Sequence, residues 1–305
     1  MRLFALCVVS CFALTSPCIV AAQQAPVGTA PKDPGAPLRQ WLRETAAGGP
    51  TAFEVRWQPL AAAAADPVAL PEVRVANGTF APDVLHVQVQ GDREPAWLQV
   101  GRHCLVREPD GPWCLRKGST EGIDPPLLLR ALAAEVTTVA ARTIVEREGA
   151  AVEQFTLCLT PAQADRLVDA GAIHETSQAR MARALLRSGR VTADQVPVPT
   201  VDVCCEVDVA THRLRRLHLR AVSAPFDARK ALLNPAARRA AAAEVAEVPA
   251  AAEPVAAAVP LPGKDGLPVR DLEGQMVVWI ELVLRDHDKA AAVVLDDTQR
   301  QLLGR

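Results

Sequence analysis

The sequence contains no tyrosine, and aromatic residues make up only 4% of it, so a core must be built mainly from Val, Leu and Ala. It also has no excess of positive charge. The net charge is −2, which argues against a partner such as nucleic acid that needs a basic surface. The motifs that announce common chemistries are missing: there is no GxSxG elbow, no phosphate-binding GxxxxGK[ST] loop, no GxGxxG and no HExxH. No CxxC occurs, and no two of the six histidines have the close helical spacing of a zinc site. These absences predict no catalytic constellation, no metal and no cofactor. After the first twenty-odd residues there is no apolar run long enough to cross a membrane.

That first stretch is the most informative part of the chain. Arg2 supplies one early positive charge, Leu3 to Val20 is uncharged and apolar, and Val20-Ala21-Ala22 gives way to polar Gln23-Gln24. Charge, apolar stretch and small-residue cleavage site predict a secretory signal peptide over residues 1–22, cut near Ala22, rather than a membrane anchor. Val8-Val9-Ser10-Cys11 has the letters of a lipid-attachment box but lies too early, and Thr15-Ser16-Pro17-Cys18 does not fit one. The expected location is therefore the periplasm or the outside of the cell, without a lipid anchor. About 280 residues remain, enough for one large domain or two small ones.

An oxidising compartment gives the cysteines meaning. Five lie beyond the signal: Cys104, Cys114, Cys158, Cys204 and Cys205, an odd number. Cys104 and Cys114 flank the turn Glu108-Pro109-Asp110-Gly111. They are either a disulfide across a hairpin or two small buried side chains. Cys204 and Cys205 are adjacent in a strand pattern and so point to opposite faces.

Residues 23–35, rich in Pro, Gly and Gln, predict a flexible leader, and 36–305 a β-rich domain. Leu38, Trp41, Leu42 and Thr45 recur at helical spacing. Strands are predicted at 51–57, 73–80, 84–90, 97–107 and 113–117. Asp124-Pro125 opens a helix through Val136, and Thr160-Pro161-Ala162-Gln163 is a capping box for a helix to about Ala170. Between them 137–148 and 151–159 form a hairpin turning at Glu148-Gly149, and a further helix covers 177–188. Val201, Val203, Cys205 and Val207 alternate with Asp202, Cys204, Glu206 and Asp208, and Leu217 and Leu219 with Arg216, His218 and Arg220. Such alternation means one buried and one wetted sheet face. Residues 228–263 predict a low-complexity Ala/Pro insert, 275–284 and 290–295 two further strands, and 297–303 a closing helical turn.

About ten strands joined by hairpins, with helices inserted, define an α+β fold. One large curved antiparallel sheet with helices on its other face is expected in preference to a closed double sandwich. The candidate ligand-facing residues are Trp97, Trp113, Phe155, Leu157, Val203, Leu217 and Trp279, which either line an apolar cavity or fill the core. Arg213, Arg215, Arg216 and Arg220 form a basic cluster that either meets acidic groups of a lipid or partner, or pairs across strands with Asp202, Glu206 and Asp208. Asn77-Gly78-Thr79 fits a glycosylation sequon or a turn.

Three segments carry a family resemblance: Asp110-Gly111-Pro112-Trp113 before a strand, Pro126-Leu127-Leu128-Leu129 at the middle helix, and Val207-Asp208-Val209-Ala210-Thr211-His212-Arg213-Leu214 as strand, turn and strand. With the export signal and the order of elements, the chain resembles the periplasmic lipoprotein-carrier superfamily, the LolA/LolB-like and LppX/LprG-like proteins. The resemblance implies a single large curved antiparallel sheet, an incomplete β-barrel, with helices packed on its concave face, which shelters acyl chains and needs no catalytic residue. The expected function is an exported, non-enzymatic binding protein for an apolar ligand, a lipid or a lipoprotein acyl chain. The alternatives are an envelope module that binds or senses a protein partner on the same scaffold and, less favoured, a hydrolase or thiol enzyme using Cys204 or His218.

Overall fold

The computed structural model describes residues 33–60, 73–91, 95–116, 124–173, 177–233, 266–270, 272 and 275–304. The signal segment, most of the leader, the alanine-rich 61–72 and most of the predicted insert lie outside the described residues.

Eleven strands form one antiparallel sheet: β1 (Thr51–Leu60), β2 (Arg74–Ala81), β3 (Val84–Val89), β4 (Ala96–Val100), β5 (His103–Arg107), β6 (Trp113–Arg116), β7 (Ala141–Arg147), β8 (Ala150–Leu159), β9 (Thr200–Asp208), β10 (Leu214–Ser223) and β11 (Met276–Arg285). Their order is β6-β5-β4-β3-β2-β1-β11-β10-β9-β8-β7. Two meanders run outward, and β1 joins β11 at the centre, with Phe53 opposite Leu284 and Trp57 opposite Ile280. The edges β6 and β7 do not meet, so the curved sheet is an open one and not a closed barrel.

Three helices lie on one face: α1 (Ala36–Ala47), α2 (Pro125–Glu135) and α3 (Pro161–Asp169). Their starts are written locally. Pro125 and Pro126 occupy the first turn of α2, where a missing N–H costs nothing, and the Asp124 carboxylate accepts from the Leu127 N–H at 2.8 Å. Thr160 and Gln163 close the predicted capping box on α3. The Gln163 amide also donates to the Glu135 carbonyl at 2.5 Å, so one side chain ties the end of α2 to the start of α3. Leu38 and Leu42 of α1, Leu129 and Leu132 of α2 and Leu167 of α3 are buried against Phe80, Phe155, Leu157, Val203, Leu217 and Leu282 of the sheet. Removing this surface from water contributes about 25 cal/mol per Å² and dominates the stability of the fold.

The opposite face is partly covered too. The chain after β11 crosses it, and Val293, Leu295, Leu302 and Leu303 pack on Leu98, Val100 and Leu105. The final helix, α6 (Asp297–Leu302), carries its own capping box, Asp296 with Gln299.

Several expectations are corrected. The predicted strand 97–107 is two strands, because Gly101 takes φ +56° and turns the chain between Val100 and His103. Residues 290–295 are not a return strand. β11 already has β1 on one side and β10 on the other, so no ladder position is open to them. Asn77-Gly78 sits in mid-strand, Asn77 opposite Glu54 and Gln88, and not in a turn. The end of the leader is ordered by Asp33, whose carboxylate accepts from the Gly35 N–H at 3.0 Å and pairs with Arg39. The first residues of the predicted insert form α5 (Ala228–Leu233), which packs through Ala228, Ala231 and Leu232 near Phe226.

Candidate functional site

The helix-covered face is filled over most of its width, but one end is not. There Val201 of β9, Ala221 of β10 and Val278 of β11 face Val168 of α3, Ile173, Ala179 and Leu186 of α4 (Ser177–Arg187), and the run Val196-Pro197-Val198-Pro199. Together they bound a groove of about 140 Å³. The local cause is a size change along β10. Leu217 and Leu219 fill their part of the face, and Ala221, next in the alternation, does not. The prolines hold 196–199 extended above the sheet without asking for ladder bonds.

Asp165 of α3, Arg183 of α4 and Ser223 of β10 bring polar groups to an otherwise apolar lining. Arg183 of α4 pairs with Asp165 at 2.6 Å and Asp169 at 3.0 Å, both from α3, so its charge is matched locally. Arg187 reaches Asp169 at 3.5 Å. Ala182, Val191 and Phe226 form a small buried cluster on the inner side of α4. The surface of the groove is mostly apolar and can shelter an apolar group from water.

The seven residues singled out from the sequence divide. Trp97, Phe155, Leu157, Val203 and Leu217 are buried together in the core on the helix-covered face. Phe155 meets Trp41 edge to face at 5.7 Å. Trp113 and Trp279 face the other way. Trp113 packs beside Leu105, and Trp279 lies 6.1 Å from the His218 ring. None of the seven borders the groove. The sequence signals for it are Ala221 following Leu217 and Leu219 on one strand face, and the Pro-Val-Pro run.

The disulfide alternative for Cys104 and Cys114 is not formed; both are free thiols. The register sets Cys104 opposite Arg116 and Cys114 opposite Val106, so the two cysteines are diagonal neighbours. Diagonal positions lie about 7–8 Å apart, beyond ordinary disulfide reach. Cys204 is fully buried, and a Cβ at Gly266 would meet its Sγ at 2.4 Å. Burial pushes the Cys205 thiol well up, and burial with the nearby Asp202 charge raises Cys158, the reverse of what a thiol nucleophile needs. Among the described residues no three His, Cys, Asp or Glu side chains lie close enough to hold a metal ion. No helix among them is long and apolar enough to cross a membrane.

No known family profile and no curated protein matches the chain. Among solved structures it is similar to LprF from Mycobacterium bovis, at 11% identity and a TM-score of 0.40, over 87% of this chain and 96% of that one. It is also similar to the lipoprotein LppX of Mycobacterium tuberculosis, at 12% identity and a TM-score of 0.38, over 85% of this chain and 97% of that one.

Proposed function

We propose that this chain is an exported, non-enzymatic binding protein whose groove between sheet and helices holds the apolar part of a lipid or of a lipoprotein acyl chain. The observation that carries this reading is the apolar lining brought together by β9, β10, β11, α3, α4 and residues 196–199. A site of this kind works by desolvation alone, at about 25 cal/mol for each Å² of ligand surface covered. It requires no nucleophile, metal or cofactor. Export rests on the signal pattern of residues 1–22.

The test is extraction of the purified protein followed by mass spectrometry, with titration of a fluorescent acyl probe. Acyl species should co-purify and the probe should bind saturably. Ala221→Trp, which fills the groove from the sheet side, should weaken the probe at least about tenfold, about 1.4 kcal/mol. A protein that carries no acyl species and binds no probe overturns the reading.

One observation favours a second reading, an envelope module that binds a protein partner. At about 140 Å³ the groove is smaller than the roughly 300–1,000 Å³ of common ligand pockets. A partner's apolar side chain would fit such a space. A stable complex with an envelope protein, lost in Ala221→Trp while no acyl probe binds, would select it.

A further inference from the structure

The sheet ends at β7, which has β8 on one side and no described strand on the other. It is seven residues long, against four for β6 at the opposite edge. Its sequence, Ala141-Arg142-Thr143-Ile144-Val145-Glu146-Arg147, holds no Pro, Gly or Lys, and Thr143, Ile144 and Val145 are β-branched. Edge strands are commonly kept from pairing with other chains by Pro, Lys, a bulge or a covering element. β7 instead keeps an unbroken register with β8 from Ala141 to Arg147 and leaves Arg142, Thr143, Ile144 and Glu146 exposed. The Ile144 side chain is 68% exposed.

The turn after β7 decides which way its backbone faces. Arg147 pairs with Ala150 across Glu148 and Gly149, which take φ +53° and +75°. Two positive φ values in a two-residue loop are those of a type I′ turn, in which the residue before the loop accepts from the residue after it. Arg147 therefore turns its backbone groups toward β8. Hydrogen-bonded and non-hydrogen-bonded pairs alternate along an antiparallel ladder. Val145 and Thr143 thus turn theirs toward β8 as well. Glu146, Ile144 and Arg142 turn their N–H and C=O groups outward.

The same three residues share one side-chain face, since Arg142 pairs with Phe155 and Ile144 with Glu153. The Arg142 guanidinium lies 5.4 Å from the centre of the Phe155 ring, and its Nε donates to Glu153. It is held in place by its own chain, yet 53% of the side chain stays exposed. Glu146 has no cation partner among the described residues. Ile144 stands midway between the two charges. A cation, an apolar centre and an anion at equal spacing complement the same series read backwards.

We propose that β7 is the docking edge for β7 of a second copy of this chain, paired antiparallel about a twofold axis at Ile144. In that register Ile144 faces Ile144 of the second copy. Arg142 faces Glu146 of the second copy, and symmetry repeats the pair on the other side. All three positions are hydrogen-bonded pairs, each exchanging two N–H···O=C bonds, so the sheet continues across the axis. On the opposite face Thr143 meets Val145 and Ala141 meets Arg147, so no like charges are opposed. A slip of two residues parts Arg142 from Glu146. A slip of four sets Arg142 on Arg142, or Glu146 on Glu146. The contact is isologous, so it closes at two copies, and an edge this short makes the dimer reversible. It does not involve the groove, so either one can fail without the other.

Sedimentation velocity over a range of concentrations tests this on the full chain, and on the chain lacking residues 1–22 so that association through that apolar segment is told apart. Both should pass from the mass of one chain to that of two as concentration rises. Ile144→Pro removes an outward N–H and no bond to β8, and Glu146→Arg sets two arginines against each other. Each should raise the dimer Kd at least about tenfold. Mixing Glu146→Arg with Arg142→Glu should restore a dimer that neither variant forms alone. Arg142→Glu gives up the bond to Glu153; if it does not fold, cross-linking reads the register instead. In a Cys114→Ser background, mild oxidation should join two copies of Ile144→Cys, whose Cα atoms would lie about 5.5 Å apart, and should not join two copies of Thr143→Cys. The proposal is overturned if the chain stays monomeric up to about 1 mM. It is also overturned if the dimer persists unchanged in Glu146→Arg and Ile144→Pro, or if Thr143→Cys cross-links as readily as Ile144→Cys.

Discussion

Arg270 closes on Asp202 with both ends of its fork, Nε to Oδ2 at 2.5 Å and Nη2 to Oδ1 at 2.7 Å. Asp202 is fully buried, and Arg220 reaches it from the neighbouring strand at 2.9 Å. Arg220 also donates to the Pro268 carbonyl, and Thr156 Oγ1 donates to the Gly266 carbonyl at 2.9 Å. The clamp therefore fastens residues 266–270 across the back of β8, β9 and β10. Removing a buried pair's anion leaves its cations uncompensated. Asp202→Ala should cost about 3–5 kcal/mol in urea unfolding. Arg270→Gln should cost less, because Asp202 keeps Arg220. Equal losses for the two variants would count against this account.

Gly78 gives a prediction of the opposite kind, in which adding an atom does the damage. A Cβ there would come within 2.0 Å of the His86 carbonyl and 2.5 Å of Phe53 Cζ. Phe53 lies across the glycine because the two are paired on β1 and β2. Gly78→Ala must move either the β2–β3 ladder or the ring, and should lose about 1–3 kcal/mol. The double variant Gly78→Ala, Phe53→Leu should recover part of that loss. Calorimetry on the four proteins of this cycle reads the coupling.

The thiols should react in a fixed order. Cys114 is exposed, Cys158 half-buried, and Cys104, Cys204 and Cys205 are buried. Burial raises the Cys104 thiol, and Cys158 and Cys205 are raised as well. In a chain lacking residues 1–22, which carry three further cysteines, a colorimetric thiol reagent should label one group quickly, a second slowly and the other three only on unfolding. Cys114→Ser should remove the fast phase. A second fast thiol would mean that β5, β8 or β9 is more open than described.

Two histidines tie stability to pH. Burial lowers the pKa of His86, with the Arg107 charge adding to it. Burial also lowers His287, against the opposing effect of the hydrogen bond between its Nε2 and the Leu214 carbonyl. Both stay neutral in the folded chain at a pH where the unfolded chain already takes up protons, below about 6.5. Unfolding then binds protons, so stability falls as pH drops through that window and levels off below the folded values. Proton NMR titration should give both imidazoles midpoints under 6.5. In His86→Gln part of the pH dependence of the melting temperature should vanish.

What could be read without coordinates was whatever is written in short range. The caps of α2 and α3, the Glu148-Gly149 turn and the period-two faces of β9 and β10 came directly from neighbouring residues. Parity even held the answer for Trp279. Val278 and Ile280 face the helices, so Trp279 faces away from them. The Gly101 turn was missed because Trp97 to Arg107 reads as one apolar run. The groove was out of reach for another reason. Val168, Leu186, Val198, Val201, Ala221 and Val278 come from six separate segments, and only the register and helix packing bring them together. The approach of Arg215 and Arg216 to the one carboxylate of Glu148 depends on a single-residue slip in one ladder, which no composition or period reports.

The central seam has a consequence for how the molecule is made. Each meander grows by adding a strand next to the one before it, a search over a few residues. The ladder between β1 and β11, where Ala52 meets Arg285, instead joins the first strand to the last. A chain emerging from its N-terminus cannot form this ladder until β11 is complete, and until then β1 carries an open row of amides and carbonyls. Synthesis thus leaves two half-sheets waiting for each other. The final ten-residue strand acts as the keystone, and a chain that stops short of it keeps an adhesive edge at what should be the middle of the sheet.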